Sequence, residues 1–180
     1  MRQSLKVALI VLSICYPFLI YWGLQHYDAR VLLPLILILI CLRWFAAPEG
    51  HGRKVAVGVL LGIVAVAVIW GQQMGLKFYP VMVNLVFLIL FAGSLFYPPT
   101  VVEKLARIKT PELPAEAITY TRNVTWVWSL FFITNGTIAA GTALWASDEV
   151  WMLYNGFISY LLIAALAGGE WVVRMKVMRG

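Results

Sequence analysis

Apolar runs separated by short polar breaks account for most of the chain. Their approximate limits are 7–24, 31–45, 55–71, 80–97, 124–145 and 150–170. A helix of about 20 residues crosses a hydrocarbon core that is roughly 30 Å thick. The pattern therefore predicts an all-α, polytopic membrane protein with six transmembrane helices, which together form one integral membrane domain over 1–180.

Helix breakers and polar residues mark the predicted connections. The link between the second and third helices, 47–54, combines proline, glycine and charged residues, and the fourth helix stops at the prolines 98–99. The glutamines at 72–73 and Lys77 predict the exit of the third helix into water. A short acidic turn, 147–149, folds the fifth and sixth helices back on each other.

The longest segment outside the apolar runs, 98–123, contains one amphipathic stretch. Thr100 and Glu103 have the spacing of a helix capping box. The apolar residues that follow share one helical face: Val101, Val102, Leu105 and Ile108. This pattern predicts a short interfacial amphipathic helix between helices 4 and 5. A solvated helix packed on the bundle is the alternative that fits it equally well.

Two other patterns concern the surfaces of the predicted helices. Gly58 and Gly62 are four residues apart, a spacing that lets two helix backbones approach closely and that allows a helix dimer without requiring one. The oligomeric state is therefore left open. Four tryptophans fall at predicted helix ends, where an amphipathic ring suits the headgroup zone: Trp44, Trp145, Trp151 and Trp171.

The composition excludes a water-soluble globule. Hydrophobic residues make up 62% of the 180 residues and charged residues only 12%, with a mean hydropathy of +0.87. Soluble domains carry roughly 25% charged residues. So little sequence lies outside the apolar runs that a second, soluble domain is not expected.

The net charge of +6 comes from basic residues at the ends of apolar runs, unlike a phosphate-binding face. In the six-helix arrangement, only Arg30 and Lys77 of the 14 Lys and Arg fall on one side. The other side receives Arg2, Lys6, Arg43, Arg53, Lys54, Lys104, Arg107, Lys109, Arg122, Arg174, Lys176 and Arg179. Basic residues accumulate on the cytoplasmic side. The bias therefore predicts an N-in/C-in membrane protein, with the lipid bilayer and no nucleic acid as a partner.

Candidate catalytic and metal-ligating residues are sparse. His26 and His51 fall on opposite sides of the predicted membrane, and neither has the carboxylate spacing of a metal site. Cys15 and Cys41 lie inside apolar runs, far from either histidine. A nucleophile needs a neighbouring base. The sequence therefore predicts no catalytic residues, no metal and no cofactor, and a protein that is not an enzyme.

Uncharged polar residues are the remaining candidates for a site inside the membrane, because every charged residue falls at a helix end or in a loop. Asn135 is expected near the midplane, and Asn84 and Asn155 about one turn inside the outer ends of helices 4 and 6. These side chains either line a small polar pocket or form interhelical hydrogen bonds. We favour the structural interpretation, and the pocket stays open as an alternative.

The stretch 125–157 has the spacing W-x2-FF-x3-G-x8-W-x5-W-x2-Y-x2-F. Its residues are Trp128, Phe131, Phe132, Gly136, Trp145, Trp151, Tyr154 and Phe157. This pattern resembles the bacterial inner-membrane family called YciB, or intracellular septation protein A, and a shorter echo occurs at 91–95. Thr125 stands where that family has asparagine, and Asn155 stands where it has a basic residue. The resemblance covers predicted helices 4–6.

The resemblance implies a non-enzymatic scaffold or accessory protein that acts in cell-envelope maintenance or septation. Division or cell-wall proteins are the expected partners, and the cytoplasmic loop 98–123 is the expected docking surface, through Lys104, Arg107 and Lys109. One alternative is a transporter or carrier of a small or lipid-like molecule. Another is an accessory subunit for acyl-lipid or aryl-polyene assembly, because the chain is also similar to uncharacterised bacterial membrane proteins encoded beside such enzymes.

Overall fold

A computed structural model describes residues 15–46 and 51–177. The first part of predicted helix 1, 7–14, and the start of the polar link, 47–50, lie outside the described residues, as do Arg2, Lys6 and Arg179. The described residues form helices joined by short connections, and no strand occurs among them. The predicted all-α class is therefore confirmed for this part of the chain.

The elements run from α1 to α9, with one π-helical turn between α8 and α9. α1 is described over 15–26. The others are α2 Ala29–Ala46, α3 His51–Trp70, α4 Gln72–Lys77, α5 Tyr79–Phe96, α6 Val101–Lys109, α7 Ala115–Trp145, α8 Asp148–Leu153, the π turn Tyr154–Ile158 and α9 Ser159–Val177.

Among the described residues, three helical segments are long and apolar enough to cross a membrane: Tyr79–Phe96, Ala115–Trp145 and Asp148–Met175. They correspond to α5, to α7 and to the continuous segment formed by α8, the π turn and α9. α2 and α3 contain shorter apolar stretches, Ala29–Ile38 and Val57–Trp70. The chain therefore has helices suited to a membrane, in agreement with the class predicted from its composition.

α7 packs along α5 and forms the centre of the fold. Its buried residues recur at intervals of three or four and are mostly small: Thr121, Thr125, Ser129, Phe132, Asn135, Ala139 and Ala143. Small residues allow two helix backbones to approach closely. The buried hydroxyls donate to carbonyls of their own helix, as in Thr125 to Thr121 O (2.7 Å) and Ser129 to Thr125 O (2.8 Å). These hydroxyls are therefore hydrogen-bonded within their own helix, although their surroundings are apolar.

The glycines of α3 pack against α5 within the same chain. A Cβ atom at Gly62 would overlap the Met82 thioether, and one at Gly58 would lie 3.5 Å from Val86 Cγ2. Gly62 therefore lies against α5 within one chain, whereas Gly58 stays exposed.

α7 begins at Ala115, well before the predicted limit at 124. Arg122 and Asn123 are polar, and polar residues indicate where a membrane span ends. They do not by themselves end a helix. No glycine or proline interrupts 115–123. The predicted loop therefore consists of α6, a short break at 110–114 and the first turns of α7.

The sequence predicts an exit into water at 72–77; Gln72 and Gln73 are exposed, but the prediction is wrong for Lys77. These residues form α4, a short helix that packs back against α3 after Gly71, whose φ of 93° favours glycine. Leu76 is fully buried and Lys77 is only 7% exposed. A lysine at a helix end suggests solvent because a buried charge needs a partner, and here Asp148 supplies that partner.

Candidate functional site

Two of the predicted intramembrane asparagines are hydrogen-bonded to each other. Asn135 Nδ2 of α7 donates to Asn84 Oδ1 of α5 at 3.0 Å. The Tyr154 hydroxyl donates to Asn135 Oδ1 at 2.9 Å, and Asn84 Nδ2 donates to Pro80 O at 2.8 Å. Asn84, Asn135 and Tyr154 are 8%, 5% and 9% exposed. We call these three residues the amide network.

Two backbone features bring the amide network together. Gly136 lets α5 approach α7 at this level, because a Cβ atom there would lie only 3.0 Å from Asn84 Cβ. The π turn widens the last helix by about one residue. As a result, three consecutive residues, Tyr154, Asn155 and Gly156, are all buried. The turn thus gives the last helix an additional inward-facing position beside α7.

Asn155 makes a separate connection and does not join the amide network. Its Nδ2 donates to Thr142 Oγ1 of α7 at 3.1 Å and to Trp151 O at 2.9 Å. Its backbone oxygen accepts a hydrogen bond from Ser159 Oγ at 3.1 Å. Thr142 lies about two turns along α7 from Asn135. The three predicted asparagines therefore fall in two separate hydrogen-bonded groups, one with Asn84 and Asn135 and one with Asn155.

A second polar site, which we call the α4 junction, lies at the end of α4. Trp151 is fully buried, and its Nε1 donates to Lys77 O at 3.1 Å. The Tyr16 hydroxyl of α1 donates to Leu76 O at 2.9 Å. Because the last carbonyls of a helix have no intrahelical partner, side chains from two other helices satisfy them. The Lys77 ammonium then pairs with Asp148 Oδ1 at 2.5 Å.

Three aromatic residues of the motif on α7, Trp128, Phe131 and Phe132, form one cluster with residues of α5. The ring centroid of Phe132 lies 5.3 Å from that of Phe87 and 5.2 Å from that of Phe91. Trp128 and Phe131 flank it, with centroids 5.8 and 5.7 Å away. Such pairs contribute about 0.5–1.5 kcal/mol each beyond their burial. The cluster therefore fixes one end of the contact between α5 and α7.

The predicted docking residues belong to α6, and the structure distinguishes them. Lys104 is exposed. Arg107 is engaged within the chain: Nε and Nη2 donate to Glu103 Oε1 at 2.9 and 2.7 Å, and Nη1 donates to Pro111 O at 2.9 Å. Glu103 is only 6% exposed, so Arg107 neutralises a buried carboxylate. The side chain of Lys109 lies outside the described residues.

Sequence reasoning identified the asparagines but missed two partners. It named Tyr154 only as a residue of the motif, although a phenol inside an apolar run needs an acceptor when it is buried. It assigned Trp151 to the headgroup zone, whereas the ring is fully buried in the α4 junction. The available signal for Trp151 was weak, since its acceptor lies 74 residues away in the chain.

The amide network joins three helical segments through uncharged groups. Asn135 donates from Nδ2 and accepts at Oδ1, so both ends of its amide are used between helices. Asn84 likewise uses its Oδ1 and Nδ2. Within 15–46 and 51–177, no group of three His, Cys, Asp or Glu is arranged to hold a metal ion. The geometry of the network is therefore that of a helix-to-helix connection.

Comparison of the chain with protein-family models, with curated proteins and with solved structures finds no match. The resemblance of 125–157 to the YciB family thus depends on the motif residues themselves. Six of them have packing or hydrogen-bonding roles inside the fold: Trp128, Phe131, Phe132, Gly136, Trp151 and Tyr154. Trp145 and Phe157 are 84% and 53% exposed. Most of the spacing is therefore explained by packing of this chain.

Proposed function

We propose that this chain is a six-span protein of the bacterial inner membrane, with both termini in the cytoplasm. In this proposal it serves as a non-enzymatic scaffold or accessory protein in cell-envelope maintenance or septation. The observation that supports the proposal most is the amide network. Its polar groups, deep in an apolar bundle, are used to fix α5, α7 and the last helix to one another. A rigid framework of this kind suits a scaffold.

The six-span arrangement is supported by the ends of the helices. Two tryptophans that end helices are strongly exposed, Trp70 of α3 by 63% and Trp145 of α7 by 84%, and Trp171, beside the predicted end of the last span, is 52% exposed. Exposed indole rings at helix ends are typical of the headgroup zone. α2 and α3 are apolar over shorter stretches than α5. In this proposal they cross as a pair, because only then do Arg43, Arg53 and Lys54 between them fall on the basic side.

The proposed cytoplasmic surface is supported by the early start of α7. Because α7 begins at Ala115, its first turns extend toward α6, which packs against it. Glu116 is exposed on this extension, and Glu112 is exposed in the break just before it. Docking in this proposal falls to these two carboxylates, since Arg107 is engaged with Glu103. A helical platform presents such charges in a fixed arrangement.

Covalent capture of a partner in native membranes tests the scaffold. A photoreactive residue at position 112 or 116 of the full-length protein is expected to crosslink division or cell-wall proteins. The same residue at position 134, an exposed position on α7 inside the apolar run, serves as the control and captures none of them. Capture of acyl-carrier or lipid-assembly enzymes instead supports the accessory-subunit alternative. Absence of any specific protein from both cytoplasmic positions contradicts docking at this surface.

A further inference from the structure

α6 turns Glu103 toward the protein and two of its large apolar side chains away from it. Glu103 is 6% exposed, whereas Leu105 is 60% exposed and Ile108 is 77% exposed. A surface helix of a water-soluble protein has the opposite arrangement, with its apolar stripe on the core. We call Lys104, Leu105 and Ile108 the outer face of α6, since all three are exposed.

The orientation of α6 is fixed by a hydrogen bond to α5 and by its packing on α7. The Thr100 hydroxyl caps the helix and accepts from Glu103 N at 3.3 Å. Val101 N donates to Ser94 Oγ of α5 at 3.0 Å. Glu103 also pairs with Arg107 at 2.7 Å. Rotating α6 to bury its apolar residues would break the hydrogen bond to Ser94 and move the Glu103 carboxylate out of its buried position. The outward direction of Leu105 and Ile108 is therefore built into the fold.

The neighbouring end of α5 is also apolar and exposed. Phe96 and Tyr97 are 75% and 82% exposed, and α6 begins only a few residues later, at Val101. Aromatic side chains at the end of a span are typical of the membrane interface. The outer face of α6 thus continues the surface of an apolar helix that is long enough to cross a membrane.

We propose that the outer face of α6 lies in the headgroup zone of the bilayer and binds anionic phospholipids. Leu105 and Ile108 insert at the acyl boundary, and the Lys104 ammonium pairs with lipid phosphates. The charge of this side of the molecule is complementary to such lipids, because most of the 14 Lys and Arg fall on it in the six-span arrangement. The inference rests on the proposed membrane placement, and it is independent of the scaffold role.

The size of the outer face favours lipid over a protein partner. α6 has 9 residues, and only part of its circumference is exposed. A specific protein interface buries about 800 Å² on each partner and involves about 20–30 residues a side. Lipid binding needs no such area, since each buried methylene group and each basic residue near an anionic surface adds separately to the binding free energy.

Lipid crosslinking of the full-length protein tests this inference. The protein carries a photoreactive residue at position 108 and is reconstituted in vesicles of phosphatidylcholine, with or without one quarter phosphatidylglycerol. We expect phospholipid adducts at position 108, enriched in phosphatidylglycerol relative to the bulk lipid. Lys104→Gln should lower the ratio of phosphatidylglycerol adducts to phosphatidylcholine adducts by about fivefold. Arg30→Gln, which removes an exposed cation predicted on the other side of the membrane, is the matched control and should leave it unchanged.

Three results overturn the inference. One is a crosslink from position 108 to a second copy of the chain or, in native membranes, to another protein. Another is efficient labelling of a cysteine at position 108 by a water-soluble maleimide, without lipid adducts. The third is a set of adducts in the same proportion as the two lipids in the vesicle, which removes the assignment to anionic headgroups. Each of these leaves partner capture at positions 112 and 116 unaffected, so failure here is distinguishable from failure of the scaffold proposal.

Discussion

Asn135 uses both ends of its side-chain amide between helices. Its Nδ2 donates to Asn84 and its Oδ1 accepts from the Tyr154 hydroxyl. Interhelical hydrogen bonds of this kind contribute about 0.6–2 kcal/mol in a bilayer. The cost of leaving such groups buried and unpaired is larger than the benefit of making the bonds. A single residue therefore determines whether two polar groups of other helices are satisfied.

Replacing Asn135 by leucine should destabilise the protein by about 1–3 kcal/mol, because the substitution leaves Asn84 Oδ1 without its donor and the Tyr154 hydroxyl without its acceptor. Reversible unfolding of the full-length protein in mixed detergent micelles measures the change. Thr134→Leu is the matched control: Thr134 is the adjacent residue, is exposed, and bonds only to carbonyls of its own helix. It should change the stability by less than about 0.5 kcal/mol.

The same variant separates the scaffold from a carrier. If the amides serve packing, Asn135→Leu lowers stability, and whatever folded protein remains keeps its function in the envelope. A variant that is as stable as the natural protein, but without function, would instead show that Asn135 contacts a ligand. Tyr154→Phe provides a second test, since it removes only one donor and its effect should not add to that of Asn135→Leu.

At the residue scale, the sequence was sufficient where the signal is local. A polar residue inside an apolar run, such as Asn84 or Asn135, stands out because burial of an amide requires a partner. Identifying that partner needs the register between helices. Nothing near Trp151 in the chain indicates that its indole nitrogen meets the carbonyl of Lys77, because their contact depends on how two distant helices are aligned.

α4 packs on α3 with no room for a side chain at Gly75. A Cβ atom at Gly75 would lie 2.6 Å from Ala67 Cβ and 3.1 Å from both Ala67 Cα and Ile63 O of α3. The neighbouring atoms are mainly backbone, or the short side chain of an alanine, so they have little freedom to move aside. α4 therefore packs on α3 at this distance only because position 75 has no side chain.

Gly75→Ala should destabilise the protein by about 1–3 kcal/mol, the usual cost of an extra methyl group in a packed site. It should also loosen the α4 junction, because the carbonyls of Leu76 and Lys77 follow directly in the chain. Unfolding in mixed micelles measures the stability, and Trp fluorescence reports the surroundings of Trp151. Gly93→Ala is the control, since a Cβ atom there meets nothing within 4 Å. Equal effects of the two substitutions would contradict the close packing of α4.

At the element scale, prediction succeeded for long apolar runs and failed where a polar segment is helical. Polar residues at 115–123 indicated a loop, yet the backbone there is helical because nothing interrupts it. The capping spacing of Thr100 and Glu103 did predict the start of α6. The π turn had no signal in the sequence pattern, since one extra residue per turn is imposed by packing on α7.

The whole molecule combines helices of two kinds. α5, α7 and the segment 148–175 are long enough to cross a membrane by themselves, whereas α2 and α3 have shorter apolar stretches. Burial around Ile20, Ile63 and Trp151 unites α1, α3 and α8 in one core. Because the shorter helices share a core with the long ones, they are expected to occupy the same membrane rather than lie outside it.

The six-span arrangement is tested at position 51, the start of α3. Cysteines at positions 28, 51 and 147 are introduced singly after Cys15 and Cys41 are replaced by serine. With six spans, a membrane-impermeant maleimide added to intact spheroplasts labels positions 28 and 147, but labels position 51 only after permeabilisation. If only α5, α7 and the last helical segment cross, positions 28 and 51 lie on the same side and label together. That outcome would also remove the charge bias, because Arg2, Lys6, Arg43, Arg53 and Lys54 would then fall on the same side as Arg30 and Lys77, giving seven basic residues on each side.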